Sequence, residues 1–223
     1  MARQRSLFDV VGPVMIGPSS SHTAGAVRLG ALARAIFGEQ PNRALIGLHG
    51  SFASTGAGHG TDLALVAGLL GFAPDDARIP TAIDVAEQLG IAVEFAEVDL
   101  GEAHPNTARF ELTGADGRSM TIQGSSLGGG IVVVSAIDDF EVEANGELPL
   151  LVVEHLDRPG EIASVTSLLA TSGVNIAEMR VSREKRGARA LMLIETDAKV
   201  DHGTVESIAG LTGVTGVRQV AAV

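Results

Sequence analysis

The chain of 223 residues has no cysteine, no tryptophan and no tyrosine. Without cysteine it forms no disulfide, and its own side chains cannot hold an iron–sulfur cluster through thiolates. Stacking on bases or sugars has little to work with, because seven phenylalanines are its only large aromatics. Basic residues are also few. Sixteen Lys and Arg stand against 27 Asp and Glu, giving a formal net charge of −11. Nucleic acid, whose phosphates demand basic surface, is therefore not an expected partner. No apolar run reaches about 18 residues, so no membrane span is expected. Met1 to Phe8 is charged and lacks an apolar core of signal length. The default expectation is a soluble cytoplasmic protein.

What is present is an apolar fraction of 45%, enough for real cores, and 28 glycines. The length fits one domain or two. The stretch from Gly12 to Thr23 holds two Gly-Pro breaks, then Ser19-Ser20-Ser21-His22-Thr23. A helix is predicted directly after it, Ala24 to Phe37, with Val27, Ala31, Leu32, Ala35 and Ile36 on one face. Hydroxyls and N–H groups at a helix start form an anion pocket that suits a carboxylate or phosphate. His22 would stand beside that anion, where a proton can move. The alternative is a hydroxyl-rich cap on an ordinary helix.

The pattern recurs further on. Arg43 to Ser51 reads as a short buried strand. A loop rich in glycine and hydroxyls follows, through Gly58-His59-Gly60-Thr61-Asp62. Leu63, Val66, Leu69 and Leu70 then mark a helix that Thr61 or Asp62 could cap. His59, between two glycines, is open to a ligand and is an acid–base candidate; otherwise it is a surface turn. Pro80 to Leu89 reads as a helix, and strands are expected from Ile91, from Thr107 to Leu112 and from Met120. Asp116-Gly117 signals a hairpin. Gly124 to Gly130 reads as a loop able to wrap an anion; it lacks the ending of a Walker phosphate loop. Residues 1–144 are expected to form an α+β domain.

After a polar turn at Ala144 to Glu147, residues 148–223 give the order βαββαβ, a ferredoxin-like split unit. His155-Leu156-Asp157-Arg158-Pro159-Gly160 falls at its first strand-to-helix turn, and Asn175 opens its second strand. Bare N–H groups at such a helix start suit a carboxylate, though many such turns bind nothing.

Asp157-Arg158-Pro159-Gly160 with Gly173-Val174-Asn175-Ile176 resembles an ACT domain. That resemblance implies a regulatory module that pairs side by side and takes an amino-acid effector near Asp157, Arg158, Gly160 and Asn175. Gly17-Pro18-Ser19-Ser20-Ser21-His22-Thr23 together with Gly58-His59-Gly60-Thr61-Asp62 resembles the beta chain of bacterial iron–sulfur-dependent L-serine dehydratase, over essentially the whole chain. The resemblance implies an N-terminal domain like the allosteric substrate-binding domain of some phosphoglycerate dehydrogenases. It implies a separate cysteine-bearing alpha chain that ligates a [4Fe–4S] cluster, and conversion of L-serine to pyruvate and ammonia. In that reaction the cluster acts as a Lewis acid on the serine, a base removes the α-proton and the 3-hydroxyl leaves as water. His59 is then expected to be the base and His22 a second polar group that orients substrate or shuttles protons. Ser20, Ser21, Thr23 and Thr61 are expected to bind the substrate carboxylate or the facing chain.

Three other readings compete. The chain could be a non-catalytic amino-acid sensor with an ACT dimerisation module. A serine hydrolase using Ser21 and His22 is disfavoured, because neighbouring side chains cannot readily face each other and no Gly-x-Ser-x-Gly elbow occurs. Zinc held by His22, His49, His59 and His104 lacks the usual ligand spacing.

Overall fold

A computed structural model of the chain describes residues 13–223, so Met1 to Phe8 and Gly12 lie outside the described residues. The chain divides into two compact units between Asp138 and Asp139.

The first unit begins with one turn of π-helix, Ser20–Ala24, that runs straight into α1, Gly25–Phe37. β1 (Arg43–Gly50) follows, then α2 (Ser51–His59), α3 (Thr61–Leu69), a 3-10 turn (Ile79–Thr81) and α4 (Ala82–Gln88). The remaining strands are β2 (Ala92–Glu97), β3 (Asn106–Thr113), β4 (Ser119–Gly128) and β5 (Ile131–Ile137). They order as β2-β1-β3-β4-β5. Among the described strands of this unit β1 and β2 pair parallel and the others antiparallel, because the helical crossover α2–α4 returns the chain to the same end of the sheet. The Asp116-Gly117 hairpin joins β3 to β4 as expected, with Gly117 at φ 83°.

Helices α1 and α3 pack tightly together. A Cβ on Gly30 would lie 2.2 Å from the Leu65 carbonyl, and one on Gly68 would lie 2.0 Å from the Val27 carbonyl. Small residues at this crossing let the two backbones touch. Leu29, Leu32, Ile36, Ile46, Leu65, Phe110, Leu112 and Ile122 are fully buried in this unit.

Two expectations about loops are corrected. Gly124 to Gly128 is strand, not an anion-wrapping loop, and the turn is confined to the end of β4 and the start of β5. Glycine at 124 leaves space for Leu29, whose Cδ1 would stand 2.7 Å from a Cβ there. The polar stretch after β1 is the helix α2. Its first two N–H groups, on Ser51 and Phe52, donate to the Pro105 carbonyl at 2.7 and 3.3 Å, and Phe52 is fully buried. Tertiary contacts thus override weak helix propensity.

The second unit holds β6 (Phe140–Ala144), β7 (Leu150–Leu156), α5 (Glu161–Thr171), β8 (Ile176–Arg183), β9 (Arg189–Thr196), α6 (His202–Ala209) and β10 (Val214–Val220). The strand order β10-β7-β9-β8, all antiparallel, is that of the split βαββαβ unit. Leu151, Val153, Met192 and Ile194 on one sheet face meet Val165 and Leu169 of α5 and Ile208 of α6. The molecule is thus mixed α+β with two sheets, as the sequence leads one to expect.

Candidate functional site

The site forms where β1 ends. Gly50 pairs with Asn106, and α2 starts at the next residue, with its N-terminus held by Pro105. Helical spacing then stacks Ser51, Thr55 and His59, four residues apart, on one face. Gly60 ends the helix in the left-handed conformation, φ 67°, and its N–H donates to the Gly56 carbonyl. α3 begins immediately after it, so His59 is held at a tight corner between two helices rather than on a loop.

The π turn brings His22 against this face. The Ser19 hydroxyl accepts from the His22 backbone N–H at 3.2 Å and lies 3.4 Å from ring Nδ1. Ring Nε2 stands 3.3 Å from the Ser51 hydroxyl and 3.2 Å from the Thr55 hydroxyl. The ring meets buried Phe52 edge-on, with centroids 5.3 Å apart, and tilts against the His59 ring at 4.9 Å. His22 is 9% exposed, whereas His59 is open to solvent. The His59 Nδ1 lies 2.9 Å from the Thr55 carbonyl. A carbonyl only accepts, so Nδ1 carries the proton and Nε2 of neutral His59 bears a lone pair.

Burial lowers the pKa of His22. The neighbouring His59 charge lowers it further, and the Ser51 backbone carbonyl opposes both effects. His22 is therefore a neutral ring at ordinary pH.

The other expected residues are placed unequally. Ser20 ties the π turn to the β4–β5 turn, its hydroxyl accepting from the Gly129 N–H at 3.4 Å. Ser21 is half-buried. Thr23 and Thr61 are buried, and neither hydroxyl has a hydrogen-bond partner among the described residues. Thr61 does not cap α3, and among the described residues no side chain does. In the second unit, Asp157 accepts from the Gly187 N–H at 3.0 Å and from Arg183 at 3.1 Å, which hold its carboxyl below the usual range. Asn175 donates to Asp197 at 2.6 Å. Arg158 is exposed, and Gly160 opens α5 at φ 94° with no atom of the described residues within 4 Å of where a Cβ would stand.

Sequence reasoning missed Ser51, Phe52 and Thr55. Their signal was the Ser51, Thr55, His59 period of four, hidden in a stretch whose composition reads as loop. His49 and His104 are each tied to nearby backbone, their Nδ1 atoms accepting from the Leu100 and Asn106 N–H groups at 3.2 and 3.1 Å. Among the described residues no three of His, Asp and Glu group as metal ligands, and the chain has no cysteine. The residues present do not fit an iron–sulfur cluster.

Residues 6–91 match the family model described as serine dehydratase beta chain, and residues 150–213 match the ACT domain model. The chain is 43% identical over 219 residues to a protein of Bacillus subtilis (strain 168) named "Probable L-serine dehydratase, beta chain", covering 98% of this chain and 99% of that protein. It is 38% identical over 216 residues to the L-serine dehydratase, beta chain, of Peptoniphilus asaccharolyticus, covering 96% and 97%. It is 26% identical over 186 residues to D-3-phosphoglycerate dehydrogenase of Mycobacterium tuberculosis (strain ATCC 25618 / H37Rv), covering 82% of this chain and 35% of that protein.

Proposed function

The chain belongs to the L-serine dehydratase beta chain family, and from that premise we propose that it supplies the base of a two-chain enzyme that converts L-serine to pyruvate and ammonia. The observation that carries the base assignment is the His59 Nδ1 contact with the Thr55 carbonyl. It leaves the outward Nε2 lone pair free to take the α-proton of serine. The 3-hydroxyl then leaves as water, and the resulting enamine tautomerises to an imine and hydrolyses to pyruvate and ammonia. His22 is the second histidine of the site, packed beneath His59. Ser21, half-buried beside it, is proposed with Ser20 to hold the substrate carboxylate or the facing chain, whereas burial closes the Thr23 and Thr61 hydroxyls off from both.

The partner is a cysteine-bearing alpha chain, and the [4Fe–4S] cluster is proposed to sit on that chain, because this one has no thiolate to offer. The active site is then shared across the two chains. The ACT module is proposed to pair with a second copy and to take an amino-acid effector at the turn holding Asp157, Arg158 and Gly160, with Asn175 nearby in the pair. The proposed location is cytoplasmic, where a cluster-bearing partner stays reduced. Its net charge of −11 argues against nucleic acid as a partner, and among the described residues no helix is long and apolar enough to cross a membrane.

The test is anaerobic pyruvate formation from L-serine by this chain alone, by a cluster-loaded alpha chain alone and by the two mixed. Activity in the mixture alone is expected, and His59→Ala should lower it by about 100-fold or more with the complex still assembling. Near-normal turnover in that variant would remove the base assignment. No turnover in any correctly loaded mixture would favour a non-catalytic amino-acid sensor.

A further inference from the structure

Thr55 touches both histidines, and each contact has a fixed direction. Its hydroxyl lies 2.8 Å from the Ser51 carbonyl, which can only accept. The single hydroxyl proton of Thr55 is therefore engaged, and its oxygen faces other groups as an acceptor. Nε2 of His22, 3.2 Å away, bonds to that oxygen only by donating. The Ser51 hydroxyl, 3.2 Å from the same oxygen, has the second lone pair to donate to. On the other side of the ring, the Ser19 hydroxyl already accepts from the His22 backbone N–H, and its own proton is free for Nδ1. One pattern satisfies these contacts, with Nε2–H of His22 shared between the Thr55 and Ser51 hydroxyls at 3.2 and 3.3 Å. Ser19 donates to Nδ1 of His22, Nε2–H donates to Thr55, and Thr55 donates to the Ser51 carbonyl. The Thr55 carbonyl meanwhile accepts from Nδ1–H of His59 at 2.9 Å.

We propose that Thr55 is a positioning residue that fixes opposite tautomers on the two histidines, Nε2–H on His22 through its hydroxyl and Nδ1–H on His59 through its carbonyl. The proposal takes its functional meaning from His59 as base. The chain of donors through His22 ends at a carbonyl, which has no proton to pass on. His22 is thus no proton shuttle. It is an uncharged platform, its ring centroid 4.9 Å from that of His59, and it lets His59 take up a proton with no like charge beside it.

The first test needs no turnover. Two-bond nitrogen–proton correlation spectra of the full chain, labelled with 15N-histidine, distinguish a protonated ring nitrogen from a bare one. At pH 7.5 the wild type should show Nε2–H for His22 and Nδ1–H for His59. Thr55→Val keeps the branched shape but removes the acceptor. It should shift His22 toward Nδ1–H, with Ser51 now donating to Nε2, whereas Thr55→Ser should keep the wild-type pattern. In the mixture with the alpha chain, Thr55→Val should lower kcat about 10- to 100-fold with KM little changed, the range seen when a partner that orients a functional histidine is lost. Thr55→Ser should restore most of that loss.

Nδ1–H on His22 or Nε2–H on His59 in the wild type overturns the proposal. So does an unchanged His22 signal in Thr55→Val, or a Thr55→Ser variant no better than Thr55→Val. If Thr55→Val fails to fold, the wild-type tautomers and the match between wild type and Thr55→Ser decide. If the tautomers are as stated but no loaded mixture turns over serine, the dehydratase reading fails and the positioning of the two rings stands.

Discussion

Replacing Gly68 by alanine sets two physical effects against each other. On an isolated helix the change stabilises, by about 1 kcal/mol from helix propensity. Here α3 crosses α1 with no space for a methyl group. The new Cβ would stand 2.0 Å from the Val27 carbonyl oxygen, 2.7 Å from the Ala31 nitrogen and 2.9 Å from the Gly30 Cα. All three are backbone atoms, so no side chain can swing aside. Ordinary contact begins at 3.4 Å, so the helices must part by more than an ångström. That loosens the packing around Leu29, Leu32 and Leu65, all fully buried. Overpacking of this kind costs about 1–3 kcal/mol, which exceeds or offsets the propensity gain, and parting the helices adds lost dispersion. The expected net is about 1–2 kcal/mol of destabilisation, or roughly a 2–8 °C fall in Tm. Gly58→Ala is the control. Among the described residues nothing lies within 4 Å of a Cβ there, and the residue is helical. It should stabilise by about 0.5–1 kcal/mol. Thermal and urea unfolding of the full chain measure both. A Gly68→Ala chain as stable as wild type, or both variants shifting in the same direction, would refute the packing argument. The crossing matters to the site as well, because α1 continues the π turn that bears His22, and α3 begins two residues after His59.

Acid should destabilise the chain partly through His22. Its folded pKa lies below the unfolded value of about 6.5, so the unfolded chain binds the proton more readily. Its stabilising contribution is complete above about pH 6.5 and is lost as pH falls toward the folded pKa. His22→Gln should flatten the pH dependence of urea unfolding between about pH 5 and 7 relative to wild type, and an unchanged slope would contradict the burial argument. Asp201 titrates with the opposite bond chemistry but the same sign. Its carboxylate accepts from the Thr204 side chain and N–H at the start of α6, which lowers its pKa. The stability it adds is present above the unfolded aspartate pKa and fades as pH falls through the folded one. Asp201→Ala should lower Tm at pH 7 and leave it nearly unchanged at pH 2; equal losses at both would show that the cap is not electrostatic.

The second unit was legible because its signals are local. β10, Val214–Val220, closes the expected βαββαβ order, and Gly173, at φ 71°, stops α5. Apolar period, breaker and cap all lie within the segments they define. The first unit was legible only where that held. α2 has no continuous apolar stripe, and its helicity rests on the Pro105 carbonyl and on the burial of Phe52, both set by distant chain. The strand at Gly124 looks like loop because glycine is rare in strands, yet the helix above it requires the missing Cβ. Composition cannot reveal a contact that a neighbour imposes.

The same limit explains why the two histidines look equivalent in the sequence. Each follows small and hydroxyl-bearing residues and precedes a helix. The structure makes them unequal through one extra residue. In an ordinary helix starting at Ser20, the Ser20 carbonyl would accept from the N–H of Ala24; in the π turn it accepts from Gly25. The wider turn carries His22 inward, to 9% exposure, with both ring nitrogens beside hydroxyls. His59 ends an α-helix of normal pitch, and Gly60 turns the chain away directly after it, so its ring stays at the surface with one nitrogen bound. A buried, fully bonded imidazole suits support, and an exposed one with a free lone pair suits proton transfer. The proposal of His59 as base is therefore supported by helix geometry at two chain corners, a difference that the residues flanking each histidine do not reveal.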